Sequence, residues 1–228
     1  MASKVRGLKR PLPSSGFWQA YFQSRYAILF YSLLLMLVAM PAANTFGLPQ
    51  VVIKLWFALC LLLAVIPSAS KRSRRFIVAA ILLLILIRFI SERDEVPIDF
   101  GPVLVVYALA GLVAAAGALR FAVSSPVVDS ETIYAALSTY LLAGLFFGVL
   151  YSAVEYMAPG SFSGPGKFSE SAAVYYSFVT VATLGYGDYL PRTDISRGIA
   201  VLEVIGGQLF LAVMVARLIG AFEVPKRR

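Results

Sequence analysis

Residues 180–188 read Thr-Val-Ala-Thr-Leu-Gly-Tyr-Gly-Asp, and this stretch decides how the rest of the chain is interpreted. It overlaps an apolar segment, 169–182, that is too short to cross a bilayer, because a spanning helix needs about 20 apolar residues. A loop-forming stretch rich in glycine, 160–166, precedes that segment. Irregular backbone is tolerated at membrane depth only where protein or a water-filled cavity surrounds it. The pattern therefore predicts a re-entrant helix and loop between two spanning helices.

The composition is typical of a membrane protein. The chain of 228 residues is 60% apolar, contains no histidine and has a single cysteine, Cys60. A soluble domain of this length does not bury so much apolar surface. One cysteine excludes an intrachain disulfide and a cysteine metal cluster. Without histidine, imidazole catalysis and His-ligated metal sites are excluded, and no cofactor is expected.

Six segments are apolar and long enough to span a membrane, the third of them only with help from flanking charges. They are 26–43, 51–67, 76–90, 102–123, 132–151 and 195–222. The first segment has the basic leader of a signal peptide, but its apolar run exceeds the usual length. We therefore expect a retained helix.

Basic residues cluster at the leader (4–10), in one loop (71–75) and at the end (226–228), whereas the loop 92–99 is acidic. The positive-inside rule then places both termini in the cytoplasm and the acidic loop outside. The positive-inside rule thus explains the net charge of +8. No nucleic acid is expected as a partner, since no nucleic-acid-binding motif accompanies the basic residues. The basic leader is expected to attract anionic membrane lipids.

Residues 131–222, with Thr-Leu-Gly-Tyr-Gly-Asp at 183–188, resemble the pore domain of the bacterial potassium-channel family. The resemblance implies an all-α membrane protein with six transmembrane helices plus a re-entrant pore helix and a selectivity-filter loop. It also implies a homotetramer with one central pore, passive potassium conduction and a place in the bacterial inner (plasma) membrane. The expected units are a cytoplasmic leader (1–25), a four-helix peripheral domain (26–123), the pore domain (131–222) and a short cytoplasmic tail (223–228).

The filter is the predicted ion-binding site. Four loops of backbone carbonyls can replace the water shell of a potassium ion. The resemblance places potassium at the carbonyls of Thr183, Leu184, Gly185 and Tyr186, in a strand that Gly187 completes. To aim successive carbonyls at one axis, the strand must visit the left-handed region, which suits the two glycines. Tyr186 is expected to pack behind the filter. Leucine at 184 stands where valine is usual; because only its carbonyl is expected to face the ions, conduction is expected to survive, and its effect on fine selectivity is left open.

Four side chains are candidates for filter support: Asp188, Tyr175, Thr180 and Glu203. By resemblance, Tyr175 donates a hydrogen bond to Asp188; the alternative is an ordinary interfacial aromatic residue. Glu203 is the only acid well inside a predicted span, where an acid is by default a functional candidate. We expect it behind the re-entrant helix, bonded to that helix's backbone, to Ser177 or to Thr180. The alternative is a protonated structural acid.

Gly206 and Gly207 interrupt the last span, although a helix-interior glycine costs about 1 kcal/mol relative to alanine. Gly207 stands where the resembled family has a hinge glycine, so both residues are gating-hinge candidates. Close packing beneath the re-entrant helix explains them equally well. Gly144 and Gly148 form a small-xxx-small pair and are predicted to serve packing.

The fourth span, 102–123, carries one arginine, Arg120, and is otherwise rich in alanine and glycine. Voltage sensing needs several charges, because each supplies only about 2.3 kcal/mol per 100 mV. We therefore expect a packing surface and no steep voltage gating.

Other classes of protein fit less well. A potassium transporter subunit would carry several pore loops, each with a reduced glycine signature, rather than one loop with the complete signature. A non-conducting scaffold would not need an intact filter sequence. An enzyme is not expected, because no nucleophile–base pair, metal cluster or phosphate loop is present.

Overall fold

The computed structural model describes residues 16–46 and 100–222. These contain five helices: α1 (Gly16–Phe46), α2 (Phe100–Ser124), α3 (Ser130–Met157), α4 (Glu170–Val181) and α5 (Asp194–Phe222). Two short antiparallel strands, β1 (Phe162–Ser163) and β2 (Leu190–Pro191), flank α4 and its following loop. The predicted spans 51–67 and 76–90 lie outside the described residues.

Within the described residues, four helices are long and apolar enough to cross a membrane: Ser24–Ala42, Gly101–Ser124, Ser130–Met157 and Asp194–Gly220. They agree with four of the six predicted spans. The helix α4 has only 12 residues and begins after the N-cap Ser169, whose side chain accepts the Ala172 N–H. It ends at the C-cap Ala182. The predicted half-length helix at 169–182 is therefore present.

The first helix begins earlier than the sequence predicted. It starts at Gly16, inside the expected leader 1–25, and its backbone breaks at Ser24 (φ −126°, ψ 19°). Two residues beyond the break, a carboxylate oxygen of Glu131 accepts the Tyr26 N–H at 3.1 Å. Beyond the kink, α1 buries Leu29 and Leu33 in the main core, as expected of a retained helix.

The helices α2 and α3 form a hairpin. Residues 125–129 connect them, and Asp129 caps α3 by accepting the Thr132 N–H at 2.8 Å. A side chain at Gly111 would meet the ring of Phe146, so only glycine lets the helices approach there. Ala108, Ala114 and Ala118 are buried, which confirms the predicted packing surface.

The opposite face of α3 carries α4. A Cβ at Gly148 would lie 2.7 Å from the Val174 Cα, and one at Gly144 would lie 2.7 Å from the Phe178 ring. The predicted packing role of the two glycines is confirmed. Phe146 lies between them in sequence and about 200° away around the helix, at 3.6 residues per turn. Hence α2 and α4 pack on opposite faces of α3.

Candidate functional site

The loop after α4 has an alternating backbone. Thr183, Gly185 and Gly187 have φ of +57°, +56° and +77°, whereas the residues between them have ordinary values. The left-handed conformation expected for the two glycines is confirmed. Thr183 was not predicted to adopt it. A non-glycine residue in that region is strained, and such residues cluster at functional sites.

Two hydrogen bonds fix the direction of the loop carbonyls. The N–H groups of Leu184 and Gly185 both point at the Val179 carbonyl oxygen, at 2.9 and 3.5 Å. The described peptide bonds are all trans, so each carbonyl points opposite to the N–H of its own peptide group. The carbonyls of Thr183 and Leu184 therefore point away from α4, toward the open side of the loop.

The open side of this loop is not covered by the described part of the chain. Residues 183–188 are all exposed, including 56% of Leu184 and 66% of Tyr186. The described residues of its own chain therefore do not pack Tyr186 behind the filter. One strand supplies carbonyl oxygens from one direction only, so a full shell around an ion needs further strands.

Behind the loop, Glu203 of α5 is 1% exposed. The Tyr151 hydroxyl of α3 donates to one carboxyl oxygen at 2.6 Å, and the Ser177 hydroxyl of α4 contacts the other. Ser177 also donates to the Gly144 carbonyl at 2.6 Å. The network joins all three helices around the back of α4. Ser177 is one of the three partners predicted for Glu203, whereas Tyr151 was missed, because no sequence spacing relates position 151 to position 203.

A count of protons in this network favours a neutral Glu203. Ser177 has one hydroxyl proton but lies at hydrogen-bond distance from two oxygens, those of Gly144 and Glu203. The Gly144 carbonyl can only accept. A protonated Glu203 supplies the missing proton, and every contact is then satisfied. Uncompensated charge is costly at membrane depth, so the neutral acid is also favoured by solvation.

The other support candidates lie around the loop. The Thr180 carbonyl accepts the Thr183 N–H at 2.9 Å and so forms the turn into the loop. A hydrogen bond with Asp188 raises the pKa of the Tyr175 hydroxyl above its ordinary value. Tyr175 is 40% exposed, and its ring centroid lies 6.3 Å from that of Tyr189.

The two glycines of α5 have different surroundings. A Cβ at Gly207 would lie 2.7 Å from a methyl of Val181 and 2.9 Å from the Val181 carbonyl oxygen, at the end of α4. A Cβ at Gly206 would meet nothing within 4 Å. The helix continues through both positions. Close packing beneath α4 thus accounts for Gly207, and a hinge role for either glycine stays a prediction.

Residues 132–224 match a family model described as ion channel. The match covers α3, the half-length helix, the alternating loop and α5, which are the elements that build the site. No curated protein and no solved structure gives a significant match to the chain. The match indicates a transport protein and not an enzyme, as the sequence predicted. Together with the apolar helices, it indicates an integral membrane protein.

Proposed function

We propose that this chain is one subunit of a passive, potassium-selective channel, in line with the match of residues 132–224 to a family model described as ion channel. The observation that carries the proposal is the backbone of 183–187, which alternates in conformation and turns the carbonyls of Thr183 and Leu184 away from α4. Repeated carbonyl oxygens along a strand are the ligands that replace the water of a potassium ion. The ion sites would be the carbonyls of Thr183, Leu184, Gly185 and Tyr186.

We further propose that four copies surround one pore. The helix α5 leaves large apolar side chains exposed along its length, among them Leu202, Ile205 and Leu209. The filter residues Leu184 and Tyr186 are exposed as well. A fourfold arrangement would cover these groups and would bring four strands of carbonyls to one axis. Tyr186 would then pack against a neighbouring subunit.

The proposed channel is not steeply voltage-gated. Arg120 is the one arginine of α2, and it lies in the last turns of the helix with its side chain exposed. A single charge near a membrane surface crosses little of the field, and each full charge contributes only about 2.3 kcal/mol per 100 mV. The peripheral helices would therefore act as a packing domain, with both chain termini cytoplasmic.

The test is reconstitution of the purified protein into liposomes that contain potassium and are diluted into sodium. We expect potassium efflux that barium blocks, with matched empty liposomes as the control. Single-channel recordings should show rates far above those of a transporter, and the mass of the purified complex should be four times that of one chain. Absence of potassium flux from a folded, oligomeric preparation contradicts the proposal. Currents that carry sodium equally well contradict its selectivity.

A further inference from the structure

Arg217 connects two helices that otherwise barely touch. It lies near the end of α5 that is far from the filter loop, and its Nη1 donates to the Val123 carbonyl at 2.6 Å. Its Nη2 donates to the carbonyl of Ser125. These carbonyls belong to the last turn of α2 and to the residue that follows it. Apart from this contact, α2 packs mainly on α3.

The chemistry of this contact favours a firm attachment. The last carbonyls of a helix lack intrahelical donors and carry the negative end of the helix dipole. A guanidinium presents planar, forked donors that engage two acceptors at once, and its charge strengthens both hydrogen bonds. Arg217 therefore serves as a cap for α2 that is supplied by a different helix.

The two halves of α5 are held differently. The half near the filter is fixed by Glu203, which bonds to α3 and α4, and by Gly207, which packs on Val181. The far half is largely exposed within the chain. Arg217 lies ten residues beyond Gly207, a distance of about 15 Å along the helix at 1.5 Å per residue.

We infer that Arg217 is a positioning residue that ties the far end of α5 to α2 and so biases the pore toward its open state. The inference rests on the proposed channel function. Since α2 and α4 pack on opposite faces of α3, α2 lies on the side of α3 away from the filter. A bond from α5 to the end of α2 therefore draws the far end of α5 outward, away from the pore axis, where four such helices would converge on closing.

The bond from Arg217 also gives the peripheral helices a role in gating. Any stimulus that moves the end of α2, such as a change in lipid packing around the exposed face of that helix, would act on α5 through this bond. The path is short, since residues 125–129 hold the end of α2 next to the start of α3, and Ser125 and Asp129 are themselves fixed by hydrogen bonds.

The experiment compares Arg217→Gln, Arg217→Lys and the control Arg120→Gln with the wild type in single-channel recordings in planar bilayers. Arg120 is exposed and lies near the same end of α2, so its variant removes one positive charge from the region without breaking the contact. Arg217→Gln loses at least one charge-assisted hydrogen bond. Its ratio of open to closed time should therefore fall about tenfold or more below that of the wild type. Arg217→Lys keeps the positive charge but loses the paired donors of the guanidinium, so its fall in open probability should be smaller.

Single-channel conductance and potassium selectivity should not change in any of these variants, whereas a general loss of structure would change assembly and conductance together. A wild-type open probability in Arg217→Gln overturns the inference, and so does an equal fall in Arg120→Gln. If Arg217→Gln does not assemble, Arg217→Lys decides, and an unchanged open probability there overturns the inference. A wild type without potassium current contradicts the proposed function instead.

Discussion

The helices α3 and α5 are similar in length and composition but differ in how much of each the chain itself covers. Of the spanning part of α3, 44% is buried, against 17% of the spanning part of α5. The helix α3 packs on α1, α2, α4 and α5, whereas α5 packs mainly on α3, α4 and β2 and reaches α2 through Arg217. A helix that leaves most of its apolar surface open is suited to contacts with lipid or with other copies of the chain. The helix α3 therefore organises the single chain, whereas α5 has the open surface that the proposed assembly would cover.

The contacts that α5 makes with the described part of the chain include one group near the filter loop and one at its far end. Glu203 and Gly207 hold it against α3 and α4, and Arg217 attaches its far end to α2. If this difference between α3 and α5 is correct, substitutions on the surfaces that pack against α3 should destabilise the single chain. Changes to open positions of α5 should leave the single chain intact.

The largest effect is expected from Gly185→Ala in the filter loop. This loop belongs to neither α3 nor α5, but its position depends on both helices. An alanine at φ +56° is strained by about 1–2 kcal/mol, and the strain would recur in each copy of the proposed tetramer. We expect loss of potassium-selective flux in liposomes. The control is Gly166→Ala, an exposed loop position where a Cβ meets nothing within 4 Å and where φ is not left-handed. Normal selectivity in Gly185→Ala would exclude the proposed filter conformation.

The second test compares Gly207→Ala with Gly206→Ala in α5. At Gly207 the added methyl meets Val181 and must push α5 from the end of α4, at a typical cost of about 1–3 kcal/mol. We expect a lower thermal midpoint of the purified protein and weaker potassium flux. At Gly206 the methyl meets open space in the chain, and the helix gains up to about 1 kcal/mol from the better helix former.

If Gly206→Ala assembles normally but has a low open probability, the hinge interpretation is supported at that position. If the two variants are equally stable, the packing assigned to Gly207 is wrong.

The third test concerns the buried network that joins α5 to α3. Glu203→Leu leaves the Tyr151 hydroxyl without its carboxyl acceptor, whereas Ser177 still donates to the Gly144 carbonyl, and an unpaired buried hydroxyl costs about 1–3 kcal/mol. Glu203→Gln retains an acceptor for Tyr151 and a donor for Ser177. We therefore expect Glu203→Leu to destabilise the protein and to shorten sustained currents, while Glu203→Gln behaves like the wild type. Equal damage from both variants would mean that Glu203 carries a charge rather than a proton.

The smallest effect is expected at the start of α3. The Thr132 side chain and backbone N–H donate to Asp129 and lower its pKa below the ordinary value of 3.8. A carboxyl group whose pKa is lowered by folding stabilises the protein at pH values above its ordinary pKa. This contribution is lost as the pH falls through the lowered pKa. Asp129→Ala should cost about 1 kcal/mol in unfolding free energy.

Asparagine is an equally good N-cap without the charge. Asp129→Asn should therefore keep most of the unfolding free energy at neutral pH. The part of the loss of stability at acid pH that comes from Asp129 should be absent in this variant. A variant with unchanged stability at every pH would show that the cap contributes nothing.

Local features were predictable from the sequence because their causes are local. The left-handed backbone at Gly185 and Gly187 follows from the lack of a side chain, and the half-length of α4 follows from the length of its apolar run. The packing role of Gly144 and Gly148 follows from their spacing of four residues on one helix face. The strained Thr183 was not predictable, since threonine has no intrinsic preference for that conformation and only the turn from Thr180 imposes it.

Contacts between distant residues were accessible only in part. The intramembrane position of Glu203 indicated a buried partner, and Ser177 was one of several candidates. Tyr151 and the bond from Arg217 to the end of α2 had no signal in the sequence. Backbone carbonyls are present at every residue, so no residue type marks Val123 or Ser125 as acceptors.

By itself, the sequence determined the membrane class, the half-length helix and the glycine conformation of the loop, because hydrophobic length and steric freedom are properties of short segments. The tertiary structure decided which groups meet: the Ser177–Glu203–Tyr151 network behind the loop, the fit of Gly207 on Val181 and the attachment of α5 to α2. Those contacts depend on the relative position of helices that are far apart in the chain. That position is set by many packing contacts together rather than by any one segment.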